Sequence, residues 1–236
     1  MISFRKISAL NAPSIVVFAN GDFPQDTVIK EILNVTVREK DRLLIVCDGA
    51  VDKLLTHTGL IPDIVIGDLD SLSSAEKEIL SCKLIQISEQ ETNDLTKAVT
   101  YVQNYYNPES ILILGASGGR EDHLIANVSL LNRYAHKTPL IIMMTDEGVF
   151  LSFQNNVVEF SCEPRLQISL FDFLGNARIT THGLRWELND AIFEELWCGT
   201  LNEAVGNMVS VSVTGGSISI FISNEVKESN TSVPKH

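Results

Sequence analysis

Apolar and polar positions change rhythm once along this chain. From Ser14 to about Thr145, short apolar runs recur as SIVVFAN, RLLIVCD, DIVIGD, KLIQIS, SILILGA and PLIIMMT. Each reads as a strand, with roughly 10–20 residues before the next. Unbroken Val/Ile/Leu runs suit strands covered on both faces, as in a parallel sheet sandwiched by helices. Glu91–Tyr106 and Glu121–His136 space their apolar residues as helices do, with Leu124, Val128 and Leu131 on one face. After Thr145 the runs LSFQNNVVEFSC, LQISLFDF, ARITTHGLRWEL, MVSVSV and SISIFIS alternate with period two, and only Asp190–Leu196 offers a helix. The expected fold class is therefore α/β: an N-terminal, mostly parallel sheet with helices on both faces, followed by a C-terminal all-β sandwich. The predicted division is 1–146, 147–224 and a polar tail, 225–236.

Composition narrows the function. The 236 residues carry 18 Lys+Arg against 30 Asp+Glu, a net charge of −12. Residues 1–135 hold 12 basic and 18 acidic groups and the remainder 6 and 12, so each part contributes −6. No basic cluster exists to displace counterions from a phosphate backbone, which argues against nucleic acid as a partner. No run nears the roughly 18 apolar residues of a membrane span, and Ser14–Ala19 is too short for a signal-peptide core. A cytoplasmic protein with no membrane partner is expected. Cys47, Cys82, Cys162 and Cys198 lie far apart without zinc-ligand spacing and read as buried free thiols.

The acidic residues fall in a pattern. Asp48 ends one strand, Asp68 ends another with Asp70 two residues on, Asp94 opens a helix, and Asp122 lies just past SILILGA. All five sit at the carboxyl ends of strands, where open α/β sheets bind ligands. If GDLDS stays extended, Asp68 and Asp70 point to the same side. Two carboxylates so close call for a cation or a raised pKa, and Mg²⁺ held with substrate phosphates fits hard oxygen ligands. The competing reading is that these aspartates cap helices and start turns.

LGASGGREDH, residues 114–123, is a glycine-rich turn between strand and helix, able to face backbone N–H groups toward an anion, with Arg120 adding a bidentate contact. A tight turn followed by Asp122 as a helix cap accounts for the same residues. In ETNDLTKAV, Lys97 lies three residues after Asp94 and either faces the same pocket or pairs with it on the surface.

Taken in order, CDGAVDKL (47–54), PDIVIGDLDSL (62–72), ETNDLTKAV (91–99), GASGGREDHLIANVSLL (115–131) and GLRW (183–186) resemble the thiamin pyrophosphokinase family over about residues 14–222. The resemblance implies a homodimer with its active site near the subunit interface. It also implies transfer of a pyrophosphoryl group from ATP to thiamin, with Mg²⁺, giving thiamin diphosphate and AMP. By position, Asp68, Asp70 and Asp94 would hold the metal, and these with Arg120 and Asp122 would form the catalytic set. Asp48, Gly49, Lys97, Ser117, Gly118, Gly119 and Arg120 would face the nucleotide, while Trp186, Gly206 and Asn207 would meet thiamin. Read without the resemblance, Trp186 is more often a sandwich-core aromatic than a ligand contact. Two departures stand out: Glu91-Thr92-Asn93-Asp94 where the family has Asp-x-Thr-Asp, and Gly206-Asn207 where it has Ser-Asn. The alternatives are a Mg²⁺-dependent phosphohydrolase or phosphotransferase on another substrate, and a non-catalytic thiamin-binding or sensing protein.

Overall fold

A computed structural model describes residues 1–80 and 83–226, so Cys82 and residues 227–236 of the tail lie outside the described residues. In chain order the elements are β1 (Ile2–Phe4), β2 (Ile15–Phe18), α1 (Thr27–Arg38), β3 (Leu43–Cys47), α2 (Val51–Thr58), β4 (Ile64–Gly67), α3 (Ser74–Ile79), β5 (Lys83–Gln86), α4 (Asp94–Tyr105), β6 (Ser110–Leu114), α5 (Glu121–Tyr134) and β7 (Leu140–Met144). There follow β8 (Gly148–Gln154), β9 (Val157–Ser161), β10 (Leu166–Phe171), β11 (Arg178–His182), β12 (Asn202–Glu203), β13 (Met208–Thr214) and β14 (Ser217–Val226).

The six apolar runs of the first half are β2 to β7, parallel neighbours in the order β7-β6-β2-β3-β4-β5. Val16, Val17, Phe18, Leu44, Ile45, Val46, Val65 and Ile66 are fully buried, as strands covered on both faces require. The path from β2 to β5 steps outward, whereas α4 returns the chain across β2 to β6. Right-handed crossovers running in opposite directions put α1 and α4 on opposite faces. Helix α4 begins at Asp94 because the Asn93 side chain caps it, accepting the Thr96 N–H at 2.9 Å.

The sheet does not stop where the rhythm changes. Strand β8 pairs antiparallel with β7, and β14, β10 and β12 extend the same sheet to ten strands. A second sheet, β1-β9-β13-β11, forms the other layer, with N-terminal β1 parallel to β9. The chain changes layer at Asn155 and at Gly215, both in the left-handed region, which Asn and Gly adopt more readily than other residues. LSFQNNVVEFSC is thus two strands in different layers rather than a hairpin. The helix expected at Asp190–Leu196 is not formed: Ala191 bridges to Ile179, and the only helical turn nearby is the 3₁₀ segment Leu196–Gly199. Of the described cysteines only Cys47 is buried; Cys162 is partly exposed and Cys198 exposed, which corrects the expectation of buried thiols. Among the described residues no helix is long and apolar enough to cross a membrane.

Helix α5 is keyed to the C-terminal strands by a buried polar seam. Asn132 donates to the Ser217 carbonyl at 3.0 Å and accepts from the Ser219 hydroxyl at 2.6 Å, and Ser219 also meets the Ser152 hydroxyl at 2.6 Å. The Ser217 hydroxyl is buried without a partner. Asn132→Ala should therefore lower unfolding free energy by about 1–3 kcal/mol, while Ser217→Ala, which deletes an orphan hydroxyl, should be neutral or stabilising by up to about 1 kcal/mol. Urea denaturation checks both, and comparable losses in the two variants would contradict the network.

Candidate active site

The exits of β2, β3, β4 and β6 converge with the N-termini of α4 and α5 at the carboxyl edge of the parallel strands. At its floor lies Asp48, 2% exposed. Its two oxygens accept the N–H groups of Gly49 and Leu69, each at 2.7 Å. Burial pushes the Asp48 carboxyl up, the two N–H donors pull it back, and the nearby Asp94 and Asp68 charges add to the rise. Gly67 makes this fit possible, since a Cβ there would meet the Asp48 carboxyl carbon at 2.2 Å.

Leu69 has φ 64°, so GDLDS turns instead of staying extended, correcting the geometry expected for the two carboxylates. Asp68 folds back to accept the Asp70 N–H at 3.1 Å, and Gln90 donates to its other oxygen at 3.2 Å. These donors hold the Asp68 carboxyl below its ordinary range. Gln86 fixes the Asp68 carbonyl at 3.0 Å, and Asp70 is exposed.

Lys97 is buried at 5% exposure, and its Nζ reaches Asp94 Oδ1 at 3.0 Å. Burial pulls the ammonium down, but Asp94, Glu89 and Asp68 together hold it above the ordinary lysine range. The pair is thus a half-buried bridge, Lys97 enclosed and Asp94 partly exposed, rather than a surface one. On the other flank, Gly118 and Gly119 turn at φ 80° and 68°, and Ser117 is partly exposed. Arg120 is bonded twice by Asp122, at 2.6 and 3.0 Å, with both side chains exposed. Asp122 is not the cap of α5, since it lies inside the first turn and Arg120 occupies the cap position. The Arg120 hydrogen bond holds the Asp122 carboxyl below its usual range.

Among the described residues no three His, Cys, Asp or Glu side chains form a ready-made metal cage. Asp68, Asp70 and Asp94 still suit Mg²⁺ chemically, because that ion is held by one or two carboxylates, water and substrate phosphates more often than by an all-protein cage.

Trp186 is 55% exposed, which removes the core reading. The Arg185 guanidinium lies 5.0 Å from the ring centroid and also pairs with Glu203 at 2.8 Å. Asn202, buried, accepts the Trp186 N–H at 3.1 Å and donates to its carbonyl at 2.8 Å. Gly206 and Asn207 follow the strip that pairs with Gly183–Trp186, Gly206 partly exposed and Asn207 exposed.

The thiamin pyrophosphokinase catalytic-domain model matches residues 36–143, and the substrate-binding-domain model of the same family matches 148–221. The chain belongs to the thiamin pyrophosphokinase family. Thiamine pyrophosphokinase 1 of Oryza sativa is 31% identical over 144 residues, 55% of this chain and 53% of its own length; the Bacillus subtilis enzyme is 27% identical over 149 residues, 58% and 66%. The chain thus matches about half the length of the rice relative. Solved structures of thiamin pyrophosphokinases from Candida albicans (TM-score 0.74, 17% identity, 95% of this chain and 93% of that one) and Bacillus subtilis (0.72, 22%, 90% and 99%) share the fold.

Within this family frame, sequence reading missed Asn20–Asp22, Lys53, Gln86, Gln90 and Asn202. The first group carried a signal: FANGDF follows an apolar run as GD follows DIVI. Lys53, Gln86 and Asn202 act on backbone groups, and Gln90 on the Asp68 carboxylate, all remote in sequence. Gly67→Ala should drive Asp48 off Leu69 and lower stability by about 1–3 kcal/mol, by thermal unfolding, with loss of any activity of the site. A Gly67→Ala protein of parent stability would show that the Asp48 contact does not matter.

Proposed function

We propose that this protein transfers the pyrophosphoryl group of ATP to the hydroxyethyl group of thiamin, giving thiamin diphosphate and AMP. The observation that carries the reading is the convergence of Asp68, Asp70, Asp94 and the 115–120 glycine loop at one sheet edge, in a chain matching both the catalytic and the substrate-binding models. Asp68, Asp70 and Asp94 are the residues to hold Mg²⁺, which when bound neutralises charge on the phosphates. Lys97 offsets the Asp94 and Asp68 charges. Arg120 is an exposed cation whose guanidinium can exchange Asp122 for a phosphate oxygen. Asp122, held low by Arg120, is a weak base, and this suits a transfer that depends on positioning and electrostatics more than on proton abstraction.

Trp186 presents an exposed π-face fitted to a cationic thiazolium, steadied by Asn202, and Gly206 and Asn207 lie further along the strip that carries Asn202. A Cβ placed on Gly206 would meet nothing within 4 Å, so the side chain absent there leaves open space rather than a gap in a packed wall. We assign the thiamin site to a homodimer interface, because Trp186, Leu196, Trp197, Leu201, Val205 and Met208 are all exposed along one stretch of chain.

Incubation with ATP, Mg²⁺ and thiamin should yield AMP and thiamin diphosphate in equal amounts. Thiamin-independent phosphate release would instead favour a hydrolase, and thiamin binding without AMP a sensor. Asp70→Asn should lower turnover at least tenfold at saturating Mg²⁺; full turnover would remove Asp70 from the metal set. Trp186→Ala should raise the KM for thiamin about tenfold and leave that for ATP within about twofold, and equal effects on both would remove it from the thiamin site.

A further inference from the structure

The segment Asn20–Asp22 precedes residue 36, where the catalytic-domain match begins, yet it lies at the centre of the site. It leaves β2 at the point where the strand order reverses between β2 and β6, the usual ligand crevice of such sheets. Gly21 donates to the Gly115 carbonyl at 2.6 Å, and Asp22 donates to the Ser117 carbonyl at 2.9 Å. In return the Asp22 carboxylate accepts the Gly119 N–H at 3.0 Å. The fit leaves no room for side chains. A Cβ on Gly21 would meet the Ser117 oxygen at 2.3 Å, and one on Gly118 the Asp22 carboxylate at 2.5 Å. From below, Lys53 on α2 donates to the Asn20 and Gly21 carbonyls at 2.9 and 2.8 Å. The two loops therefore form one hydrogen-bonded unit, and Gly118 and Gly119 hold their left-handed conformations against Asp22.

We infer that Asp22 is a positioning residue for the phosphate-facing glycine loop, acting through its hydrogen bond to Gly119. This rests on the nucleotide reading of the site given above. The role belongs to an acceptor oxygen rather than to a charge, so an amide in its place serves nearly as well. A glycine turn without this contact samples more backbone states, and ordering it again opposes nucleotide binding.

The test compares Asp22→Ala and Asp22→Asn with the parent in two measurements. Amide hydrogen exchange across 115–119, without nucleotide, should accelerate about tenfold in Asp22→Ala and stay within about threefold of the parent in Asp22→Asn. Calorimetric binding of the magnesium complex of a non-hydrolysable ATP analogue should weaken about tenfold in Asp22→Ala and no more than about threefold in Asp22→Asn, with Tm little changed in either. Parent-like exchange and binding in Asp22→Ala would overturn the inference. So would an Asp22→Asn protein as impaired as Asp22→Ala, because charge would then be what matters. Neither measurement needs an acceptor, so a protein that follows this pattern yet makes no thiamin diphosphate upholds Asp22 and overturns only the proposed transfer. A parent that binds no nucleotide overturns both.

Discussion

The site depends on one buried carboxylate. Asp48 directly follows the buried strand β3, where an unpaired charge would be expensive, and it is tolerated because two backbone N–H groups point at it. One of those groups belongs to Leu69, which reaches it only by adopting a conformation that few non-glycine residues take. Gly67 has no side chain because the carboxyl occupies the space. The three features require one another: without the carboxylate Leu69 has no reason to turn, and without the turn Asp68 and Asp70 lie elsewhere.

Four further carboxylates are handled by the same means. Asp22 takes the Gly119 N–H, Asp68 takes Gln90 and the Asp70 N–H, Asp94 takes Lys97, and Asp122 takes Arg120. Like charges gathered at one edge raise one another's pKa unless donors intervene. Here neutral donors and cations share that work, which keeps Asp68 and Asp122 ionised and available to a cation or, by exchange at Arg120, to an anion. The net charge of −12 is therefore a poor guide to the local field: what counts is how each acid is partnered.

The strands of the parallel half were legible because burial on both faces leaves continuous Val/Ile/Leu runs, and the start of α4 because Asn93 is a capping residue at the right place. The course of GDLDS was not, since the turn at Leu69 is imposed by Asp48, twenty-one residues earlier in the chain. The same holds for β1, whose pairing with β9 joins the two ends of the fold, and for Asn202, which reads as a loop residue until its side chain is seen holding both the N–H and the carbonyl of Trp186. Local pattern reports what a segment buries; it does not report which distant backbone group a polar side chain will hold. Trp186 shows the limit in the other direction, because an aromatic in a β pattern looks like core, and only packing reveals its exposed ring.

The continuity of the sheet explains how two halves with different rhythms can serve one site. Strand β7 is hydrogen-bonded to β6 on one side and to β8 on the other, so the last parallel strand is also the first neighbour of the antiparallel half. Helix α5 crosses the same seam: its N-terminus follows the glycine loop and Arg120, while Asn132 near its C-terminus is bonded to Ser217 and Ser219 of β14. A displacement of β14 must therefore either break a buried hydrogen bond or carry α5 with it, and with α5 the Arg120 backbone at its cap. Breaking buried polar contacts is the costlier course in a low-dielectric interior. The start of α5, and with it the Arg120 backbone, is thus tied to the C-terminal strands as well as to the loop that precedes it.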